Sequence, residues 1–149
     1  MNDVEMVLRF LYMNFGELDV NFMSRGMDEF MRANKESWPR DFQEAFHVSI
    51  SRCFTLWGDN AFNKPVDNGW RSQFIAPMYD AEMHACCCLS TGQFDVLADR
   101  PERVREATKE LFRRDLQFVK SVTQSTNNLS AIKYRLNTMR QLLQELASE

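Results

Sequence analysis

The last part of the chain repeats apolar residues at Leu129, Ile132, Leu136, Met139, Leu143 and Leu146, a 3-4-3-4-3 spacing. Only a helix brings residues so spaced onto one side, and the pattern is the seam of a coiled coil. The seam is too short to demand a coiled coil. Its expected use is packing onto the chain's own helices, with an oligomer through this last helix as the other use. The polar stretch Ser125-Thr126-Asn127-Asn128 precedes the seam and reads as its cap.

The same period runs through the rest of the sequence. Val4, Val7, Leu8, Leu11, Tyr12 and Phe15 form one apolar face, stopped by Gly16. Asp19 is placed to cap a second helix carrying Val20, Met23, Met27, Phe30 and Met31. Ser37-Trp38-Pro39 breaks the pattern, and Pro39 suits the first turn of a third helix. That helix carries Phe42, Ala45, Phe46, Ser49, Ile50, Cys53, Phe54 and Trp57, and Gly58 ends it. Residues 59 to 69 read as loop. A hairpin at Asn68-Gly69 has the turn residues but no alternating runs beside them. A fourth helix is expected over Ser72 to Leu89, with Pro77 either in its first turns or kinking it. Asp99-Arg100-Pro101-Glu102 opens a fifth, burying Val104, Ala107 and Leu111, and a short piece with Phe118, Val119 and Val122 follows. The expectation is an all-α, single-domain bundle of about six helices over residues 1–149. Its core would be built by Leu8, Leu11, Phe46, Ile50, Phe54 and Leu111.

Composition agrees and excludes other classes. A chain of 149 residues, 44% hydrophobic, can bury a core without disulfides or metals. Twelve Phe and three Trp argue against disorder. No window holds ~18 uninterrupted apolar residues, so no membrane span is expected. Met1-Asn2-Asp3-Val4-Glu5 lacks the basic start of a secretory signal, so a cytoplasmic location is expected.

Charge is unevenly spread. Residues 1–98 hold eight basic and fourteen acidic side chains, and residues 99–149 hold ten and seven. Between 113 and 140, Arg113, Arg114, Lys120, Lys133, Arg135 and Arg140 face only Asp115. These six are the candidate nucleic-acid contacts; the competing reading is a solvated helical surface. Arg135 precedes Leu136 of the seam and should flank it rather than enter the core. There it would either tie the last helix to its neighbours or touch a phosphate.

No catalytic pattern stands out. His84 and Cys88 are four residues apart, a spacing that could share a metal, but two ligands do not make a site. Cys86-Cys87-Cys88 offers a thiol without a Gly-rich elbow or an evident His or Asn partner, and Cys53 supplies no disulfide framework. Asp28 and Glu29 diverge on a helix. No phosphate loop or dinucleotide fingerprint is present, and no cofactor or metal is expected.

Six segments occur in the order found in one known family. Glu5-Met6-Val7-Leu8-Arg9-Phe10 resembles the Glu-x-x-Leu-Arg-Phe segment that opens the helical half of the GmrSD-type restriction endonuclease family. Met27-Asp28-Glu29-Phe30-Met31 resembles its Phe-Leu-x-x-Phe/Tyr-Met helix, and Gly58-Asp59-Asn60-Ala61-Phe62 its Gly-x-x-Ala-Phe turn. Asp115-Leu116-Gln117-Phe118 and Ser125-Thr126-Asn127-Asn128 follow, then Ile132 to Leu136, with Arg135 in the family's Arg-Ile/Leu position. In that family a ParB/sulfiredoxin-like half with an Asp-Gly-Gln-Gln-Arg motif carries catalysis, and a frequent partner region carries a His-Asn-His nuclease. Neither motif is in this sequence, so the resemblance carries over no catalytic residue. It implies a non-catalytic interaction or regulatory module of a phage-defence system, with a protein partner or the missing catalytic half beside it. The alternatives are a nucleic-acid-binding helical domain and a fragment of a nuclease or NTPase.

Overall fold

The computed structural model describes residues 3–18 and 23–149. In those residues the chain forms α1 (Asp3–Phe15), α2 (Met23–Ala33), α3 (Arg40–Trp57), a single 3₁₀ turn at Gly58–Asn60, β1 (Asn63–Val66), β2 (Gly69–Phe74), α4 (Ala76–Cys88), α5 (Thr91–Ala98), α6 (Pro101–Arg114), α7 (Leu116–Thr123) and α8 (Leu129–Ala147). The fold is mostly helical. It departs from the sequence expectation in having eight helices among the described residues and a small antiparallel hairpin. The expected cap at Asp19 and the apolar Val20 lie outside the described residues.

The hairpin pairs Val66 with Gly69 and Lys64 with Arg71, so the turn falls at Asp67-Asn68. Gly69 has φ 146, a region that glycine adopts and L side chains rarely do. Arg71 to Phe74 are all exposed. With no buried face, β2 carries no alternation, which hides it from a periodicity reading. The hairpin also takes up the expected start of the fourth helix, which begins at Ala76 with Pro77 in its first turn. A capping box is responsible for α5: the Ser90 hydroxyl accepts from Gln93 N–H at 3.1 Å, and Gln93 Oε1 accepts from Ser90 N–H at 2.9 Å. The expected cap at Asp99 is instead Arg100, followed by Pro101 in the first turn of α6.

Helix α4 is the axis of the fold. It packs against α1, α3, α7 and α8, and Met78 through Met83, Ala85 and Cys86 are all buried. The seam of α8 lies inside, with Ile132, Leu136, Met139, Leu143 and Leu146 buried. An oligomer through that seam is therefore not available, because the chain's own helices cover it. The expected core needs revision at α3. Leu11 and Leu111 are buried, Leu8, Phe46 and Ile50 are half-buried, and Phe54 is 54% exposed. Leu56 and Trp57, both at 0% exposure, face inward where Phe54 was expected.

Candidate functional site

Two acids on α4 enter the core, and each is held by a different part of the chain. Asp80 takes a two-pronged contact from Arg9 of α1, with Nε at 2.6 Å from Oδ1 and Nη2 at 2.7 Å from Oδ2. Arg135 of α8 adds Nη2 to Oδ2 at 2.6 Å. Arg135 Nη1 also donates to the Ser121 and Thr126 carbonyls at 3.0 and 2.7 Å. One carboxylate thus joins two guanidiniums from opposite ends of the sequence. Burial pulls the pKa of Arg9 down, but the Asp80 hydrogen bond and charge outweigh it and raise the net value. For Arg135 burial wins and the pKa falls; an arginine keeps its proton either way.

Glu82 has a different environment. Its Oε2 accepts from Phe62 N–H at 2.8 Å, while Oε1 is buried without a hydrogen-bond partner. Burial pushes its pKa well above the ordinary carboxylate value, with the Phe62 N–H bond opposing, and so favours the neutral acid.

A third arrangement sits where the C-terminal ends of α1 and α4 meet. His84 Nδ1 lies 2.9 Å from Asn14 Oδ1, and His84 Nε2 lies 3.7 Å from Cys88 Sγ. The orientation of the relay can be deduced. Asn14 Nδ2 donates to the Phe10 carbonyl at 2.8 Å, which turns Oδ1 toward the ring. An oxygen there accepts, so His84 carries its proton on Nδ1. Nε2 is left as the acceptor for the Cys88 thiol. Asn14 is placed by the end of α1, where the backbone turns tightly at Gly16. A Cβ at Gly16 would come 2.5 Å from the Tyr12 ring and 2.7 Å from its carbonyl. The sequence shows the His84–Cys88 spacing but not Asn14, which is 70 residues from His84. The sequence offers no evident His or Asn partner for the cysteine run, and the fold brings His84 to Cys88 and Asn14 to His84. Burial and the charge of Arg140 lower the His84 pKa to about 4. Burial and Cys87 raise that of Cys88, with Arg140 opposing. Thiol and imidazole are a neutral pair. Among the described residues no three side chains are grouped to hold a metal.

Surface clefts complete the picture. One of about 430 Å³ opens between α1 and α2. Val4, Leu8, Met23, Met27 and Met31 line it, with Glu5, Asp28, Arg9 and Asn127. A second, about 320 Å³, lies between α6 and the hairpin and contains Lys64, Lys109 and Arg113. A third, about 210 Å³, contains Lys120 and Tyr134.

The six cations singled out in sequence thus go to different places. Arg113 and Lys120 occupy two clefts, while Arg114 and Lys133 are exposed. Arg140 is half-buried beside His84, with Nη2 donating to Asn137 Oδ1 at 3.2 Å. Arg135 is fully buried, so it enters the core instead of flanking the seam and presents nothing to a phosphate. The reason is Asp80: a buried carboxylate draws the guanidinium inward. No helix in the described residues is long and apolar enough to cross a membrane. Compared with known proteins, the chain matches no family model, no curated protein and no solved structure.

Proposed function

We propose that the chain is a non-catalytic helical interaction module, built like the helical region that follows the catalytic half of GmrSD-type restriction proteins. It docks a partner protein through the cleft between α1 and α2. The observation that supports this reading is the convergence of the resembling segments. Glu5, Leu8 and Arg9 of the first, Met27, Asp28 and Met31 of the second and Asn127 of the fifth line one cleft. Behind it Arg9 meets Arg135 of the last segment on Asp80. Methionines give such a surface the adaptability a docking site needs, and Val4 and Met31 are 75% and 48% exposed. With Glu5 and Asp28 on its wall, the cleft suits a partner segment whose apolar face is flanked by basic residues.

The test is a calorimetric titration of the purified chain with the recombinant ParB/sulfiredoxin-like half of a GmrSD-type protein, freed of its own helical region. Saturable binding with a Kd of about micromolar is expected. Val4→Glu and Met31→Glu, both at exposed positions, should abolish it without unfolding the chain. The chain by itself should neither cut DNA nor hydrolyse nucleotides. If the catalytic half does not bind and a labelled duplex does, with affinity falling steeply with salt, a nucleic-acid-binding domain replaces this reading.

A further inference from the structure

The geometry points to a second property, independent of the docking cleft: Cys88 is a nucleophilic thiol that exchanges with low-molecular-weight disulfides, with His84 as its base and Asn14 orienting the base. The relay runs one way from end to end. Asn14 is fixed by the Phe10 carbonyl, Asn14 fixes the His84 ring and its proton, and the free Nε2 faces Cys88 Sγ. This is the order of parts that activates a thiol: nucleophile, base, and a third group holding the base.

The other cysteines lack this arrangement. Cys53 and Cys86 are completely buried. Cys87 is half-buried beside Ser49 and Arg52, with no imidazole among its interactions. Cys88 is half-buried at the end of α4. The charged and titratable groups that face the relay are Arg140 from α8 and Cys86 and Cys87 from α4 itself. Arg140 favours the developing thiolate and disfavours the imidazolium, which makes protonated His84 a ready donor to a leaving group.

Position selects the electrophile. Cys88 is the last residue of α4, a helix end that presents carbonyls rather than N–H groups, with those of Cys86 and Leu89 taken by Arg52 Nη1 at 2.9 and 2.8 Å. Acyl transfer needs N–H donors for an oxyanion, whereas in-line attack on a disulfide sulfur needs none. In the exchange, Cys88 Sγ forms a bond to one sulfur of the disulfide as the S–S bond breaks. The thiol proton passes to His84 Nε2 and from there to the departing thiolate. The products are a mixed disulfide on Cys88 and one free thiol. The step is stoichiometric and involves no turnover.

The experiment treats the intact chain with 2,2′-dithiodipyridine, follows thiopyridone release, and locates the modified cysteine by peptide mass. Cys88 should react at least about a hundredfold faster than Cys87, the lower end of what a positioned base supplies. Its rate should be nearly flat from about pH 5 to 8, because His84 is already neutral there and takes the proton itself. In His84→Gln the rate should climb about tenfold per pH unit instead, as for an unassisted thiol. The wild-type profile decides the matter even if His84→Gln does not fold. Equal rates at Cys87 and Cys88, or a wild-type rate that climbs tenfold per unit across the range, would overturn the proposal.

Discussion

Asp80 and Arg135 lie 55 residues apart in sequence and 2.6 Å apart in space, and neither side chain is exposed at all. The contact welds the central helix to the last one. Arg9 closes the same carboxylate from α1, so three helices depend on one acid. Two guanidiniums against one carboxylate leave a net positive charge inside the protein. The Ser121 and Thr126 carbonyls, the negative ends of two peptide dipoles, disperse part of it.

Removing the acid should therefore be worse than removing either arginine. Asp80→Ala strands two buried cations, and breaking a buried pair in this way costs ~3–5 kcal/mol. Urea denaturation should show Asp80→Ala largely unfolded. Arg135→Met, which leaves Arg9 and Asp80 paired, should remain folded at a lower midpoint. Lys133→Ala, two residues away and exposed, should not move the midpoint.

Glu82 gives a prediction with a definite sign. Its pKa in the folded chain is raised above the ordinary value of 4.5, so the folded state holds a proton that the unfolded state releases. The stability linked to that proton is full below about pH 4.5 and is lost as pH rises toward the folded pKa. Glu82→Gln replaces the neutral acid with a neutral amide that still accepts from Phe62 N–H. The amide NH2 meets no acceptor at the Oε1 position and lowers the melting temperature by a pH-independent amount, but the variant should gain on wild type as pH rises. A difference between the two that stays constant with pH would contradict the neutral-acid assignment.

These two acids also show where sequence reading stops. A helix buried on one side writes its period into the sequence, which is why α1, α3 and α8 were legible. Helix α4 is buried on nearly all sides, so nothing in its pattern marks Asp80 and Glu82 as interior. The same is true of Arg135. A cation beside a seam normally runs along the surface with its head in water, and only knowledge of Asp80 reverses that. Helix α5 was within reach through Ser90 and Gln93, a pair spaced as a capping box. The His84–Cys88 half of the thiol relay follows from helical spacing. Asn14 does not, because its place depends on how α1 crosses α4.

The inward turn of α3 can be checked with two neighbouring residues. Leu56 is at 0% exposure and Phe54 at 54%. Leu56→Ala should cost ~2–5 kcal/mol as a buried truncation. Phe54 keeps one ring contact, with Phe62 at 5.8 Å between centroids. Phe54→Ala should thus cost ~1 kcal/mol, the scale of a surface change that loses an aromatic contact. Thermal melts of the pair would rank them directly, and an equal loss would mean that α3 presents a different face.

The acid limb of the stability curve should belong largely to His84. Its pKa in the folded chain is lowered to about 4 from an ordinary 6.5, by burial first and by Arg140 second. The unfolded chain therefore binds a proton that the folded chain refuses. The sign follows: stability is full above about pH 6.5 and is lost as pH falls toward 4. A difference of that size corresponds to ~3 kcal/mol once both states are protonated. His84→Gln removes the titration but keeps a side chain able to donate to Asn14 Oδ1. Its melting temperature should fall less steeply than wild type between about pH 6.5 and 4, and the two curves should converge or cross at the acid end. Arg140→Gln should act in the same direction but more weakly, since it removes the smaller of the two causes and leaves the burial. If wild type and His84→Gln lost stability in parallel, His84 would have to carry its proton inside the fold. The relay to Cys88 would then lack its acceptor.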